Sequence, residues 1–209
     1  MKGDAADASP TLEFWFDFAS PYSYLAASRI EALLSTLPIR LRWRPFLLGP
    51  IFKRRPSNPS PFQDAGPEER RYRRRDVERL CERYGIPLSW PSSYPRGSIL
   101  ATRVALIASE AGWCGVFARA VFKANFSDDR DIATAATIAD ILFELQGDAD
   151  EILARATLPE TKASLVEQVD EAIAKGIFGA PSFITGEELF WGNDRLEQAI
   201  EWARRPTRA

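Results

Sequence analysis

Residues 14 to 25 read Phe-Trp-Phe-Asp-Phe-Ala-Ser-Pro-Tyr-Ser-Tyr-Leu, an aromatic strand that turns into a helix through Ser20 and Pro21. A reactive group placed there sits at a helix N-terminus, where the dipole favours negative charge. A cysteine would be acidified at that junction, but the residues present are Ser20, Pro21, Tyr22 and Ser23, so any reactive thiol must come from elsewhere. Cys81 and Cys114 are the only cysteines and form no close-spaced pair, which leaves a structural-zinc or redox-motif reading without support. They read as buried core thiols in a reducing compartment. The chain has no histidine, which removes Ser-His-Asp hydrolysis, Cys-His proteolysis and H-E-x-x-H metal chemistry. No metal site is expected.

The elements that must position Ser20 are legible on both sides of it. After a polar leader, residues 1 to 11, Leu12 to Phe18 reads as a hydrophobic strand. Pro21 to Leu37 carries apolar residues at helical spacing, ended by Pro38. Ile39, Leu41 and Trp43 alternate with Arg40, Arg42 and Arg44, the pattern of a strand with one buried face. The opening is β-α-β, for which a right-handed parallel crossover is expected. From Gly49 to Pro67 repeated prolines forbid any long helix. Helical stretches follow at about 68–84, 98–111, 115–125, 131–146 and 148–156, with a proline-rich turn from Pro87 to Pro95. A helix at about 160–175 leads to two short strands, Ser182 to Thr185 and Glu188 to Trp191, joined by a hairpin turn. Asn193 or Asp194 is placed to cap a last helix, Arg195 to Arg204. The reading is an α/β chain of β-α-β and β-β-α halves, residues 12–48 and 160–205, around a loop and all-helical insertion, residues 49–159.

At 209 residues the chain suits one compact domain with a sizeable insertion. A formal charge of −2 gives no reason to expect nucleic acid. The basic run Arg70 to Arg75 is flanked by Glu68, Glu69, Asp76 and Glu78 and reads as a solvated helix face. No run approaches the roughly 20 apolar residues that span a bilayer, and the start lacks an apolar signal core, so a cytoplasmic protein is expected.

Four stretches together resemble the 2-hydroxychromene-2-carboxylate isomerases, relatives of the kappa-class glutathione transferases in the DsbA-like branch of the thioredoxin superfamily. They are Phe16 to Leu25, Arg44 to Lys53, Phe178 to Phe183 and Phe190 to Leu196. The resemblance implies a thioredoxin-like fold with a helical insertion, a homodimer, glutathione as cofactor and a small aromatic carboxylate as substrate. A free thiol with its ordinary pKa of about 8.5 is only a few per cent ionised at neutral pH, and making thiolate the major form takes about 2.7 kcal/mol. By resemblance Ser20 supplies part of this by donating its hydroxyl to the thiolate of bound glutathione, with the helix amides favouring the same charge.

The resemblance further implies a cis peptide at Ala180-Pro181, with the main chain of Ala180 pairing with the cysteinyl part of glutathione. Trp191, Gly192, Asn193 and Asp194 would hold the γ-glutamyl end. Asp194 suits its ammonium, and Asn193 and free helix amides suit its carboxylate. Lys53 and Asn58 fall where the family contacts substrate or glutathione, and Tyr94 matches an aromatic facing the substrate. The sequence departs from the family twice. Glu69 stands where kappa-like members carry a lysine, leaving Arg70 or Arg71 to meet the glycine carboxylate of glutathione. Arg96 follows Pro95 where many relatives carry asparagine. The expected function is glutathione-dependent isomerisation of 2-hydroxychromene-2-carboxylate or a similar aromatic catabolite by reversible thiolate addition. The alternatives are a kappa-like transferase or peroxidase, and a redox-inactive thioredoxin-like peptide binder.

Overall fold

A computed structural model describes residues 9–54 and 65–205. Asn58 and most of the leader lie outside the described residues. The order is β1 (Thr11–Phe16), α1 (Pro21–Ala27), α2 (Ile30–Leu34), β2 (Arg40–Pro45), α3 (Leu48–Lys53), α4 (Pro67–Tyr84), α5 (Ile99–Glu110), α6 (Cys114–Phe126), α7 (Ala135–Glu144), α8 (Ala149–Thr157), α9 (Pro159–Ala174), β3 (Ser182–Thr185), β4 (Glu188–Trp191) and α10 (Leu196–Ala203), the last preceded by a 3-10 turn over Asn193–Arg195. The four strands form one sheet in the order β2-β1-β3-β4. β1 runs parallel to β2 and antiparallel to β3, and β3 and β4 form a hairpin. This is a thioredoxin-like architecture with helices interposed between β2 and the hairpin.

β1 is buried on both faces, which its unbroken aromatic run requires. Phe14 and Phe16 pack with Phe18, Phe117, Phe122 and Phe126 in a core shared by the sheet, α1, α5 and α6, while Trp15 faces the other way into a cluster with Phe46, Leu165, Val169 and Ile184. Phe14 and Phe183 are cross-strand partners with rings stacked at 5.4 Å. Burying side chains of this size contributes about 1.5–3 kcal/mol each, and here the aromatics fasten the inserted helices directly to the central strand.

Three local readings change. The helix expected over residues 21–37 is broken. Ser28 Oγ donates to the Tyr24 carbonyl at 2.9 Å and Arg29 N–H to the Ala26 carbonyl at 3.1 Å, which ends α1 and sets Arg29 at the corner before α2. The expected irregular stretch after Gly49 begins with the short helix α3, in which Pro50 falls in the first turn and lacks no intrahelical donor. Neither Asn193 nor Asp194 caps α10. Arg195 occupies the N-cap without a side-chain bond, and the Asn193 amide is engaged elsewhere. The Arg70–Arg75 stretch of α4 is laced by ion pairs, Arg73 with Glu69 and Arg75 with both Glu78 and Glu82. Among the described residues no helix is long and apolar enough to cross a membrane.

The departure at residue 96 has a structural cause. The Arg96 side chain is 4 % exposed and gathers the chain around it. Nη1 donates to the Arg130 carbonyl at 2.8 Å and to Asn125 Oδ1 at 3.2 Å. Nη2 donates to the Asp129 carbonyl at 3.2 Å and also meets the Asp129 carboxylate. Removing the buried guanidinium leaves Asn125 and the main-chain acceptors around it without a donor. Arg96→Met is therefore expected to cost about 1–3 kcal/mol in urea unfolding, whereas Arg75→Met on the open face of α4 should leave the midpoint unchanged. Equal small effects of the two would show that Arg96 holds nothing together.

Candidate active site

The turn carrying Ser20 leaves β1 at Phe16 and enters α1 at Pro21, and its backbone groups are taken up by distant parts of the chain. The Phe18 carbonyl accepts from Asn125 Nδ2 of α6 at 3.1 Å, and the Ala19 carbonyl accepts from the Tyr94 hydroxyl at 3.1 Å. Ala19 N–H donates to Asp17 Oδ1 at 2.9 Å, and Ser20 N–H to the Asp17 carbonyl at 3.0 Å. Ser20 is the N-cap of α1, its Oγ accepting from Ser23 N–H at 3.1 Å. The same hydroxyl donates to the Ala180 carbonyl at 2.9 Å, so its one proton points across the cleft to the residue before Pro181. The Ala180-Pro181 peptide is cis, as expected. Ser23, at the far end of Ser-Pro-Tyr-Ser, is fully buried.

Asp17 is the residue that sequence reasoning passed over. It is 4 % exposed and binds three segments: Oδ1 accepts from Ala19 N–H and from the Ser98 hydroxyl at 3.1 Å, and Oδ2 accepts from Leu48 N–H, the first donor of α3, at 2.7 Å. Burial pushes its pKa above the ordinary 3.8, and the three donors oppose this without overcoming it. Its signal was present in the sequence as a single acid inside an otherwise aromatic run. The two thiols are inert by environment. Burial pushes Cys81 up to about 11, with the charge of Glu78 adding to it, and pushes Cys114 up to about 12 against a weaker hydrogen bond from Ser109.

Opposite the serine turn, the segment from Phe178 to Asp194 forms the second wall. Gly179 must be glycine, because a Cβ there would meet Trp191 Nε1 at 2.2 Å. That close approach lays the indole against the cis-proline loop, with its ring 4.8 Å from that of Phe178. Gly192 has φ 116°, and a Cβ on it would lie 2.4 Å from Asp194 Oδ1, so the turn delivers a carboxylate close over bare backbone. The Asp194 side chain is 71 % exposed and pairs with Arg195 at 3.4 Å. Asn193 is the reverse, 2 % exposed, with Oδ1 accepting from Arg29 at 3.1 Å.

Between these walls lies a cavity of about 1300 Å³ that brings together Ser20, Ala180, Pro181, Trp191, Gly192, Asn193 and Asp194 with Lys53 and Tyr94. Of the site residues expected within the described chain, all but Arg70 and Arg71 line it. Asn58 lies outside the described residues. α4 contributes Glu69, Arg73, Asp76 and Leu80, one helical face, while Arg70 and Arg71 are not on the wall. The cation that stands beside Glu69 is therefore Arg73, whose Nη2 lies 2.5 Å from Glu69 Oε1. Among the described residues no acidic, cysteine or histidine cluster could hold a metal ion.

Residues 11–201 match the model of the DSBA-like thioredoxin domain. The chain belongs to that family. Within it, the 2-hydroxychromene-2-carboxylate isomerase of Pseudomonas putida is 29 % identical over 187 residues, covering 88 % of this chain and 90 % of that protein. Glutathione S-transferase kappa 2 of Caenorhabditis elegans is 29 % identical over 210 residues, covering 93 % and 92 %. A solved 2-hydroxychromene-2-carboxylate isomerase superposes with a TM-score of 0.83 at 25 % identity, covering 92 % of this chain and 93 % of that one. This DSBA-like chain thus has relatives named as 2-hydroxychromene-2-carboxylate isomerases and as kappa-class glutathione transferases.

Asp17 gives the site a pH signature. Because its folded-state pKa is raised, the folded chain holds the proton more tightly than the unfolded one. The stabilisation is complete below the unfolded value and declines as pH rises through the folded value. Urea melts of wild type and Asp17→Asn in parallel should show the wild type losing ground to the variant as pH rises above the ordinary carboxylate value of 3.8. A stability difference that stays constant as pH rises contradicts the raised pKa.

Proposed function

We propose that this protein is a glutathione-dependent isomerase acting on 2-hydroxychromene-2-carboxylate or a similar aromatic catabolite. The observation that carries the reading is the Ser20 hydroxyl, fixed at a helix start and hydrogen-bonded to the Ala180 carbonyl across a cavity that also holds Lys53, Tyr94 and the Gly192–Asp194 turn. Three features fit a bound tripeptide. The Ala180 carbonyl faces the cleft, where it can accept from a peptide N–H. The turn at Gly192 leaves no room for a side chain beside the Asp194 carboxylate. The Asn193 Nδ2 is buried with no partner among the described residues. Asp194 would take the γ-glutamyl ammonium and Ala180 the cysteinyl main chain. Arg73, rather than Arg70 or Arg71, would take the glycine carboxylate, exchanging Glu69 for the ligand.

When bound, glutathione supplies a thiol that adds reversibly to the conjugated ring-opened substrate, so that a double bond can rotate before the thiol leaves. The chain's own part is to hold that thiol ionised and the substrate in place. A sulfur anion beside Ser20 is a stronger acceptor than the neutral Ala180 carbonyl, so the Ser20 proton would turn toward it. The helix start adds its dipole. Tyr94 presents an aromatic edge while its hydroxyl stays on Ala19, and Lys53 offers a charge for the substrate carboxylate. Cys81 and Cys114, buried and hard to ionise, take no part.

The reading is tested by following interconversion of the chromene carboxylate and its ring-opened isomer with a catalytic amount of glutathione. Turnover without glutathione consumption is expected. Ser20→Ala should lower kcat by about tenfold or more, matching about 1.5 kcal/mol for a charge-assisted hydrogen bond. Lys53→Met should raise KM for the carboxylate and leave conjugation of a neutral chloronitrobenzene unaffected. Ready conjugation of the neutral electrophile, with the carboxylate untouched, would replace the isomerase by a kappa-like transferase.

A further inference from the structure

Among the described residues two asparagine amides, Asn125 and Asn193, are held by arginines, and they differ in what becomes of the second half of the amide. Arg96 donates to Asn125 Oδ1 at 3.2 Å, and Asn125 Nδ2 passes the bond on to the Phe18 carbonyl at 3.1 Å. A guanidinium only donates, so the amide atom facing it must be oxygen and the orientation is fixed. Arg29 repeats the arrangement, donating from Nη1 to Asn193 Oδ1 at 3.1 Å. Here Nδ2 is buried and has no partner among the described residues, and Asn193 lies on the cavity wall between Gly192 and Asp194.

Arg29 is itself held from two sides. Its guanidinium lies 3.8 Å over the Tyr84 ring at the end of α4, and it pairs with Glu197 of α10. The break between α1 and α2 puts it at this meeting point. A buried donor left without an acceptor is expensive, and native structures retain few. In the Asn125 case the protein supplies the acceptor, and at Asn193 none of the described residues does.

We infer that Arg29 is a positioning residue that sets the polarity of the Asn193 amide, so that Asn193 offers a donor and never an acceptor to a ligand carboxylate. The inference rests on the glutathione reading, in which that group is the γ-glutamyl carboxylate beside the Asp194 ammonium site. Arg29 touches no ligand. Its effect is to make this end of the cavity accept an anion where a freely rotating amide would accept either polarity.

Calorimetric titration with glutathione and with cysteinylglycine, which lacks the γ-glutamyl group, tests this in wild type, Arg29→Met, Arg29→Lys and Asn193→Asp. Arg29→Met should weaken glutathione by about tenfold, the loss of a single hydrogen bond, and leave cysteinylglycine unchanged. Arg29→Lys, also donor-only, should restore most of the affinity. Asn193→Asp keeps the Arg29 contact and should melt like the wild type, yet it turns an acceptor toward the carboxylate and should weaken glutathione by at least as much. Should Arg29→Met fail to fold, Arg29→Gln, whose amide can donate or accept toward Asn193, takes its place and should weaken glutathione while leaving cysteinylglycine unchanged. Wild type that binds no glutathione overturns the glutathione reading and this inference with it. Wild type that binds, with variants that weaken both ligands equally or neither, overturns this inference alone.

Discussion

A buried strand that turns abruptly into a helix exposes backbone groups that neither element can pair, and everything near Ser20 is arranged to satisfy them. The Phe18 carbonyl depends on Asn125, the Ala19 carbonyl on Tyr94, and the Ala19 N–H on Asp17. Two of these three partners come from the helical region between β2 and β3. Arg96 fixes Asn125 in turn, and Ser98 fixes Asp17. The inserted helices therefore contribute more than a cavity wall. They hold the Ser20 turn in one geometry, the preorganisation that electrostatic stabilisation of an anion would require.

Within that frame the Ser20 hydroxyl has one proton and two claims on it. It lies on the Ala180 carbonyl, and under the proposed function a sulfur anion would claim it instead. The absence of a usable internal thiol follows the same logic. Cys81 and Cys114 are buried in surroundings that oppose their ionisation, so under the proposed function the reacting thiol is one brought in from solution.

The fold was legible where periodicity and punctuation agreed. The β-α-β opening, the hairpin with bounds at Ser182–Thr185 and Glu188–Trp191, and α4 to α9 follow from apolar spacing, prolines and the turn at Gly186. The break after Ala27 was not legible, because it depends on Ser28 bonding back to Tyr24 and on the tertiary anchoring of Arg29. The same anchoring took Asn193 out of its expected capping role. Site residues carried by local motifs, Ser20, Ala180, Pro181 and the Trp191–Asp194 turn, lie together on the cavity. Arg73, Ser98, Asn125 and Arg29 join them through contacts between segments far apart in sequence, which no local pattern encodes. The ambiguity at Glu69 needed the helix phase, since only residues 69, 73, 76 and 80 of α4 reach the wall.

The central claim is that the Ser20 turn stabilises a thiolate that the chain does not itself provide. The most direct measurement is a pH titration of thiolate absorbance for glutathione bound to the double variant Cys81→Ser, Cys114→Ser, with and without Ser20→Ala. With Ser20 present the midpoint should fall well below the free-thiol value of about 8.5, and with Ser20→Ala it should recover by about one pH unit, equivalent to about 1.4 kcal/mol. A bound thiol that titrates at the free value in both proteins would contradict the account.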